Sequence, residues 1–77
     1  MAHFVSILKS QATGRYYCGE TQDIEDRLER HNSGRSKSTK SGIPWELVQL
    51  VVLANRIEAR KLESKIKRIG IERWMNR

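Results

Sequence analysis

The sequence has 77 residues, a formal net charge of +6 and one cysteine. This length leaves room for one domain, and we expect residues 1–77 to form it. A single cysteine excludes an intrachain disulfide and a zinc site built from paired cysteines. No targeting segment is visible and no apolar run approaches the roughly 18 residues that would span a bilayer, so the sequence predicts a cytoplasmic protein without a membrane partner.

The positive charge is unevenly distributed. Residues 1–29 carry a balance of −2, residues 30–55 a balance of +3, and residues 56–77 a balance of +5. Such blocks suit a polyanionic partner, because each phosphate that is neutralised releases condensed counterions. For any single lysine, a solvated surface position is the simpler explanation. The segment 30–42, however, contains no acidic residue, and we expect it to face phosphates through Arg30, Arg35, Lys37 and Lys40.

Two short strands are predicted at the start of the chain. Phe4–Leu8 and Arg15–Gly19 have strand composition, and the polar segment between them resembles a hairpin connection. Antiparallel pairing about this turn is expected to place Ser6 opposite Tyr17. In this register the two faces of the hairpin would carry, on one side, Val5, Ile7, Tyr16 and Cys18, and on the other, Phe4, Ser6, Leu8 and Tyr17.

A helix should follow the second strand. Capping oxygens and acidic side chains near Thr21–Asp23 favour a helix start, and Asn32-Ser33-Gly34 favours its end. Within it, Arg27 and His31 share one stripe at i, i+4 spacing. Residues 34–44 show no pattern of their own and are expected to form a polar, basic loop.

The second half of the chain predicts a strand and further helices. Trp45–Leu53 is the strongest strand pattern and should be well covered. Residues 55–58 have the pattern of a capping box. The helix that follows should face the core through Ala59, Leu62, Ile66 and Ile69. Gly70 should end it, and residues 71–76 should form a short last turn or helix with Trp74 folded back on the core.

Glu63 borders the apolar stripe of this second long helix and allows two interpretations. The simpler is an i, i+4 ion pair with Lys67. The functional alternative is a carboxylate that holds Mg²⁺, an ion that often uses one or two protein carboxylates and completes its shell with water and phosphate.

Tyr17, Arg27 and His31 also allow two interpretations each. Tyr17 would ordinarily be a packed strand residue, and Arg27 would ordinarily pair with an acid on its own helix. A guanidinium that faces a cleft would instead bind phosphate in bidentate fashion. His31 could complement the helix dipole as a cation, donate to a phosphate or relay a proton. The residues taken singly support a small basic α+β domain that binds nucleic acid.

Taken in series, the motifs "GRYYCGETQDIEDRLERHNSG", "PWELV" and "EARKLESKIK" resemble the GIY-YIG nuclease superfamily. The sequence looks most like its small stand-alone bacterial branch, related to the nuclease half of the excision-repair endonuclease. The resemblance runs from Phe4 to Lys67. It implies an α+β fold with a three-stranded antiparallel sheet in the order β-β-α-β-α-α, flanked by helices. It also implies hydrolysis of DNA phosphodiester bonds with Mg²⁺ or Mn²⁺ and without a small-molecule cofactor, on duplex or branched DNA; the oligomeric state stays open.

Family roles carry over to individual positions. The resemblance places the second motif tyrosine at Tyr17, the helix arginine at Arg27 and the metal-binding glutamate at Glu63, while His31 matches a histidine often found at that helix end. The first motif departs from the family, because its tyrosine is replaced by Ser6. A serine hydroxyl cannot do the tyrosine's work unaided. Three alternatives follow: Tyr17 alone acts as the base, a water bound at Ser6 fills the gap, or catalysis is impaired and the chain is a nucleic-acid-binding module on a nuclease fold.

Overall fold

A computed structural model describes residues 2–35 and 37–76. Its elements, in chain order, are β1 His3–Ser10, β2 Tyr16–Thr21, α1 Ile24–Asn32, α2 Lys37–Lys40, β3 Trp45–Leu53, α3 Arg56–Ile69 and α4 Ile71–Met75. The strands form one antiparallel sheet in the order β2-β1-β3. The expected α+β fold with a three-stranded antiparallel sheet and flanking helices is therefore confirmed. Within the described ranges, no helix is both long and apolar enough to cross a bilayer.

The hairpin register differs from the expected one by two residues. Ser6 lies opposite Gly19, and Leu8 lies opposite Tyr17. The predicted pairing of Ser6 with Tyr17 is wrong because the turn lies later in the chain: the Ser10 amide donates to the Arg15 carbonyl, and Gly14 adopts the positive φ of 77° within it. A shift of two keeps every side chain on its face, so Ser6 and Tyr17 still share one side of the sheet.

One face of the sheet carries the main core. Helix α3 covers it, and the buried cluster consists of Val5, Ile7, Cys18, Ala59 and Ile66. Trp74 of α4 packs against this cluster and donates from Nε1 to Gln49 Oε1 at 3.1 Å, which confirms that the end of the chain folds back. Ile69 was expected in the core stripe but is 40% exposed, since it lies at the last residue of α3.

Strand β3 lies at an edge of the sheet, and the central strand is β1. The expectation that β3 is well covered is wrong, because Val52 is 62% exposed and Leu50 is also exposed. Hydrophobic runs occur in edge strands as well as central ones, so composition did not reveal the position of this strand. Central β1 is covered instead, and Val5, Ser6, Ile7 and Leu8 are all buried.

The opposite face of the sheet is covered by α1 and the segment that follows it. Asn32 at the end of α1 binds the backbone of Trp45, accepting from its amide and donating to its carbonyl at 3.0 Å. The Trp45 indole donates to the Thr39 carbonyl at 2.8 Å. Residues 34–44 were expected to form a loop without a pattern of its own. This prediction is wrong for α2, a single helical turn that is held against Trp45.

Candidate active site

Helix α1 begins where the sequence predicts and carries two candidate residues toward β2. Asp23 is its N-cap, and its Oδ1 accepts from the Asp26 amide at 3.0 Å. This cap satisfies a free amide of the first turn. Arg27 and His31 follow at i, i+4 spacing, so both project from one side of the helix. That side faces the Tyr17 ring.

Tyr17 and Arg27 meet above Gly19. Arg27 Nη2 lies 3.5 Å from the Tyr17 hydroxyl, at the long end of the hydrogen-bond range. A Cβ at Gly19 would lie 3.0 Å from Arg27 Nη2 and 3.4 Å from Tyr17 Cε1. Because the third residue of the Tyr-x-Gly motif has no side chain, it leaves space for the Arg27 guanidinium.

His31 is buried between aromatic rings and is only 6% exposed. Its ring centroid lies 4.6 Å from that of Tyr17 and 6.2 Å from that of Trp45. Burial, and then the nearby charge of Arg27, lowers the pKa of His31 below its usual 6.5. The imidazole is therefore neutral at pH 7, and its buried Nδ1 has no hydrogen-bond partner among the described residues.

These side chains line a groove of about 220 Å³ formed by Tyr17, Arg27, Arg30 and His31. Arg30 is exposed and pairs with Asp26 at 3.0 Å. The structure thus brings four of the residues singled out from the sequence into one surface. A guanidinium beside a phenol hydroxyl, with a second arginine at the rim, is suited to a phosphate group.

Ser6 lies on the same side of the sheet but does not line this groove. It is 2% exposed, and its Oγ donates to the Gly19 carbonyl at 3.3 Å. The hydroxyl is thus used inside the sheet. This arrangement does not support the alternative in which a water bound at Ser6 replaces the missing aromatic hydroxyl.

Glu63 lies on α3, on the other face of the sheet. Burial of Cys18, and then the charge of Glu63, raises the pKa of the Cys18 thiol to about 11. Glu63 Oε1 also accepts from Lys67 Nζ at 3.2 Å, so the i, i+4 ion pair expected from the sequence is formed. Cys18 and Tyr17 are neighbours in β2 and point to opposite faces. The family roles group Tyr17, Arg27 and Glu63 around one cleft, but Glu63 does not line this groove.

Glu63 is the candidate metal ligand, and its surroundings allow such a role. Its side chain is 21% accessible, partly covered but reachable from solvent. Within residues 2–35 and 37–76, no three His, Cys, Asp or Glu side chains cluster around a possible metal position. A single carboxylate oxygen fits Mg²⁺, which binds few protein groups and keeps several waters, better than it fits Zn²⁺.

The remaining predicted cations lie around α2. Arg35, Lys37 and Lys40 are all exposed. Their charge is accessible, as a phosphate contact requires, and such a contact stays a prediction.

A second cluster at the edge of the groove was not anticipated from the sequence. The buried His3 imidazole pairs with the Glu20 carboxylate, whose other oxygen lies 3.7 Å from Arg56 Nε. These residues and Arg27 line a cavity of about 370 Å³. The sequence offered one indication that His3 is buried, because in a strand that alternates between two faces it lies on the same face as Val5 and Ile7.

The sheet and groove define a nuclease-type fold, in which a Tyr-x-Gly strand is followed by a helix that returns an arginine and a histidine to it. Residues 2–69 match the GIY-YIG catalytic domain. The chain belongs to the GIY-YIG family, which confirms the resemblance.

Relatives include proteins named UPF0213. The one from Nitratidesulfovibrio vulgaris is 39% identical over 66 residues, covering 84% of this chain and 59% of its own length. The one from Lactococcus lactis is 40% identical over 62 residues, covering 79% of this chain and 62% of its own length. The chain thus spans about three fifths of the length of these two relatives. The solution NMR structure of a UPF0213 protein from Bacillus halodurans aligns over 99% of this chain and 81% of that one, with a TM-score of 0.61 and 30% identity.

Proposed function

We propose that the protein is a DNA endonuclease that hydrolyses phosphodiester bonds with the help of Mg²⁺ or Mn²⁺. The observation that carries the proposal is the contact of Tyr17 with Arg27 above Gly19, in a groove that a GIY-YIG chain would use for its substrate. Family membership supplies the class of reaction, and the groove supplies residues able to perform it.

Arg27 binds the scissile phosphate in this proposal. Its guanidinium can approach the groove because position 19 has no side chain. Positive charge fixed beside a phosphate stabilises the additional negative charge of the transition state, and removing one such donor costs about 100-fold to about 1000-fold in rate in other enzymes.

Tyr17 orients or deprotonates the attacking water. His31 acts on Tyr17 and not on phosphate, since a buried neutral ring is a poor counterion. Its imidazole packs against the Tyr17 ring and fixes the direction of the hydroxyl. This gives His31 a positioning role, which is none of the three interpretations that the sequence allowed for it.

Glu63 would hold the divalent cation. When bound, the cation would neutralise negative charge on a phosphate. Family membership supports this role for Glu63, whereas the groove that holds Arg27 lies on the opposite face of the sheet. The carboxylate must exchange its contact with Lys67, 3.2 Å away, for the metal. Both partners are partly solvated and exposed ion pairs contribute at most about 1 kcal/mol, so this exchange is inexpensive.

An Arg27→Gln variant tests the proposal, with Arg73→Gln as the control because Arg73 is exposed and lies outside the groove. Cleavage of plasmid DNA by the Arg27 variant should fall by about 100-fold or more, while the control retains the wild-type rate. Equal cleavage by both variants would remove Arg27 from the reaction.

The second candidate is a nucleic-acid-binding module that has kept the fold and lost the chemistry. The burial of Ser6 favours it, because the position of the first motif tyrosine offers no accessible hydroxyl. A Ser6→Tyr variant distinguishes the two candidates. Activity that appears in this variant but is absent from the parent supports the binding module, and activity already present in the parent supports the enzyme.

A further inference from the structure

The outer face of α3 carries a continuous basic surface outside the candidate active site. At about 100° per residue, six positions of this helix fall within about 140° of its circumference, centred opposite Ala59 and Ile66. They line one shallow surface and are Ile57, Arg60, Lys61, Ser64, Lys65 and Arg68. We refer to these six residues as the α3 outer face.

Three cations of the α3 outer face have no acidic partner in the part of the chain that the structure describes. Lys61 pairs with Glu58 at 3.7 Å, so part of its charge is already compensated. No carboxylate forms an ion pair with Arg60, Lys65 or Arg68 within residues 2–35 and 37–76. Uncompensated like charges on neighbouring turns repel one another, and a polyanion would relieve that repulsion.

The dimensions of the face also fit a nucleic-acid backbone. From Ile57 to Arg68 the helix extends about 16 Å at 1.5 Å per residue. Duplex DNA presents one charge per about 1.7 Å of axis, so several phosphates lie within this length. Ser64, exposed in the middle of the face, adds a hydroxyl that can donate to phosphate oxygen.

The α3 outer face is separate from the groove. Helix α1 covers the side of the sheet with Tyr17, whereas α3 covers the side with Cys18 and directs its outer face away from the sheet. The groove residues Tyr17, Arg27, Arg30 and His31 contribute nothing to it.

The geometry points to a second phosphate-binding surface on α3, which holds a nucleic-acid backbone on the side of the sheet opposite the groove. The identity of the polyanion rests on the proposed function, and the location of the surface rests on α3 alone. It adds affinity and takes no part in bond cleavage. Ile57, 67% exposed at the N-terminal end of this face, would also suit an anionic membrane, but the shallow lining is mostly cationic and offers one large apolar side chain.

The test compares two double variants with the same change of charge. Arg60→Gln/Lys65→Gln removes two unpaired cations from the α3 outer face. The control, Lys9→Gln/Arg73→Gln, removes two cations from β1 and α4. Glutamine preserves helix propensity at the three helical positions, and thermal unfolding would show that both variants fold.

Binding of a fluorescein-labelled 20-base-pair duplex is measured in chelator between about 50 mM and about 200 mM salt. Chelator prevents metal-dependent cleavage, so the binding measurement tests the α3 outer face whether or not the protein is an active nuclease. Each lost phosphate contact makes the negative slope of log K against log salt shallower by about 0.9. The α3 variant should therefore lose about 1.8 from the wild-type slope, and the control should lose none.

Equal slopes for the two double variants would overturn the inference, since the effect would then be one of net charge alone. It would also be overturned by α3-dependent binding to phosphatidylglycerol vesicles with no binding to the duplex. Absence of plasmid cleavage by the wild-type protein, with the slope difference intact, would count against the proposed reaction and leave the α3 outer face in place.

Discussion

Substituting Gly19 with alanine should damage the candidate site and leave the fold nearly unchanged. The new Cβ would lie 3.0 Å from Arg27 Nη2, whereas carbon and nitrogen atoms in contact prefer about 3.5 Å or more. The guanidinium must therefore move by about 0.5 Å. Because Nη2 is the far end of a flexible side chain and Gly19 has no positive φ, we expect the free energy of unfolding to change by less than about 1 kcal/mol.

The same shift should be costly for catalysis. Misplacing a catalytic group by 1 Å can cost about 100-fold in rate, so a displacement of half this size predicts a loss of about 10-fold or more. Plasmid nicking under single-turnover conditions measures the rate, and urea unfolding measures stability.

Gly14→Ala is the matched control for this experiment. Gly14 has a φ of 77° and open space around it, so alanine there should cost about 1 kcal/mol of stability without changing cleavage. If Gly19→Ala cleaves DNA at the wild-type rate, the close approach of Arg27 has no catalytic importance. The reasoning would also fail if Gly19→Ala were the less stable of the two variants.

Three further predictions concern the core and its ionisation. Ile66→Ala should lower the free energy of unfolding by about 2–5 kcal/mol, because Ile66 is fully buried, whereas Ile57→Ala should change it by less than about 0.5 kcal/mol; urea titrations compare the two. Gly42→Ala should cost about 1–3 kcal/mol, since its Cβ would lie 2.8 Å from Trp45 Cε2, and a melting temperature equal to wild type would refute this. The lowered pKa of His31 means that the unfolded chain takes up the proton first as pH falls below 6.5, so stability should decrease in acid; a His31→Asn variant that keeps the full wild-type pH dependence between about pH 7.5 and about pH 5 would contradict that assignment.

Local patterns predicted the elements and the sides on which side chains lie, because both depend on neighbouring residues. Asp23 and Asn55 begin their helices as expected, each accepting from an amide three residues on. The two faces of the hairpin were right although its register was wrong, since a shift of two residues preserves alternation. The register itself depends on the turn, and Gly14 marks that turn only once its φ is known.

Features that depend on tertiary contacts were not available from the sequence. The segment 34–44 lacks periodicity, yet α2 forms in it where the Trp45 indole binds the Thr39 carbonyl. The exposure of β3 follows from the strand order, which composition does not encode. The burial of His31 depends on Trp45, which is distant in sequence, so a helix-end histidine gave no sign that it would be buried and neutral.

The relation of Glu63 to the groove was the largest difference. The family resemblance predicts that Glu63 binds the metal, whereas its i, i+4 spacing predicts an ion pair with Lys67. The structure shows the ion pair. Its position on the Cys18 side of β2 follows from helix α3 packing on that face. Spacing along one helix cannot indicate which face of a sheet the helix will cover.

A time course of supercoiled plasmid with Mg²⁺, with Mn²⁺ and with chelator tests the central claim most directly. Glu63→Ala is compared with Glu58→Ala, a change on the same helix that removes an exposed partner of Lys61. We predict nicking with either metal, none in chelator, loss of nicking in Glu63→Ala and wild-type nicking in Glu58→Ala. Nicking that persists in Glu63→Ala would contradict the metal assignment, and plasmid that is bound but never cut by the wild-type protein would contradict the nuclease itself.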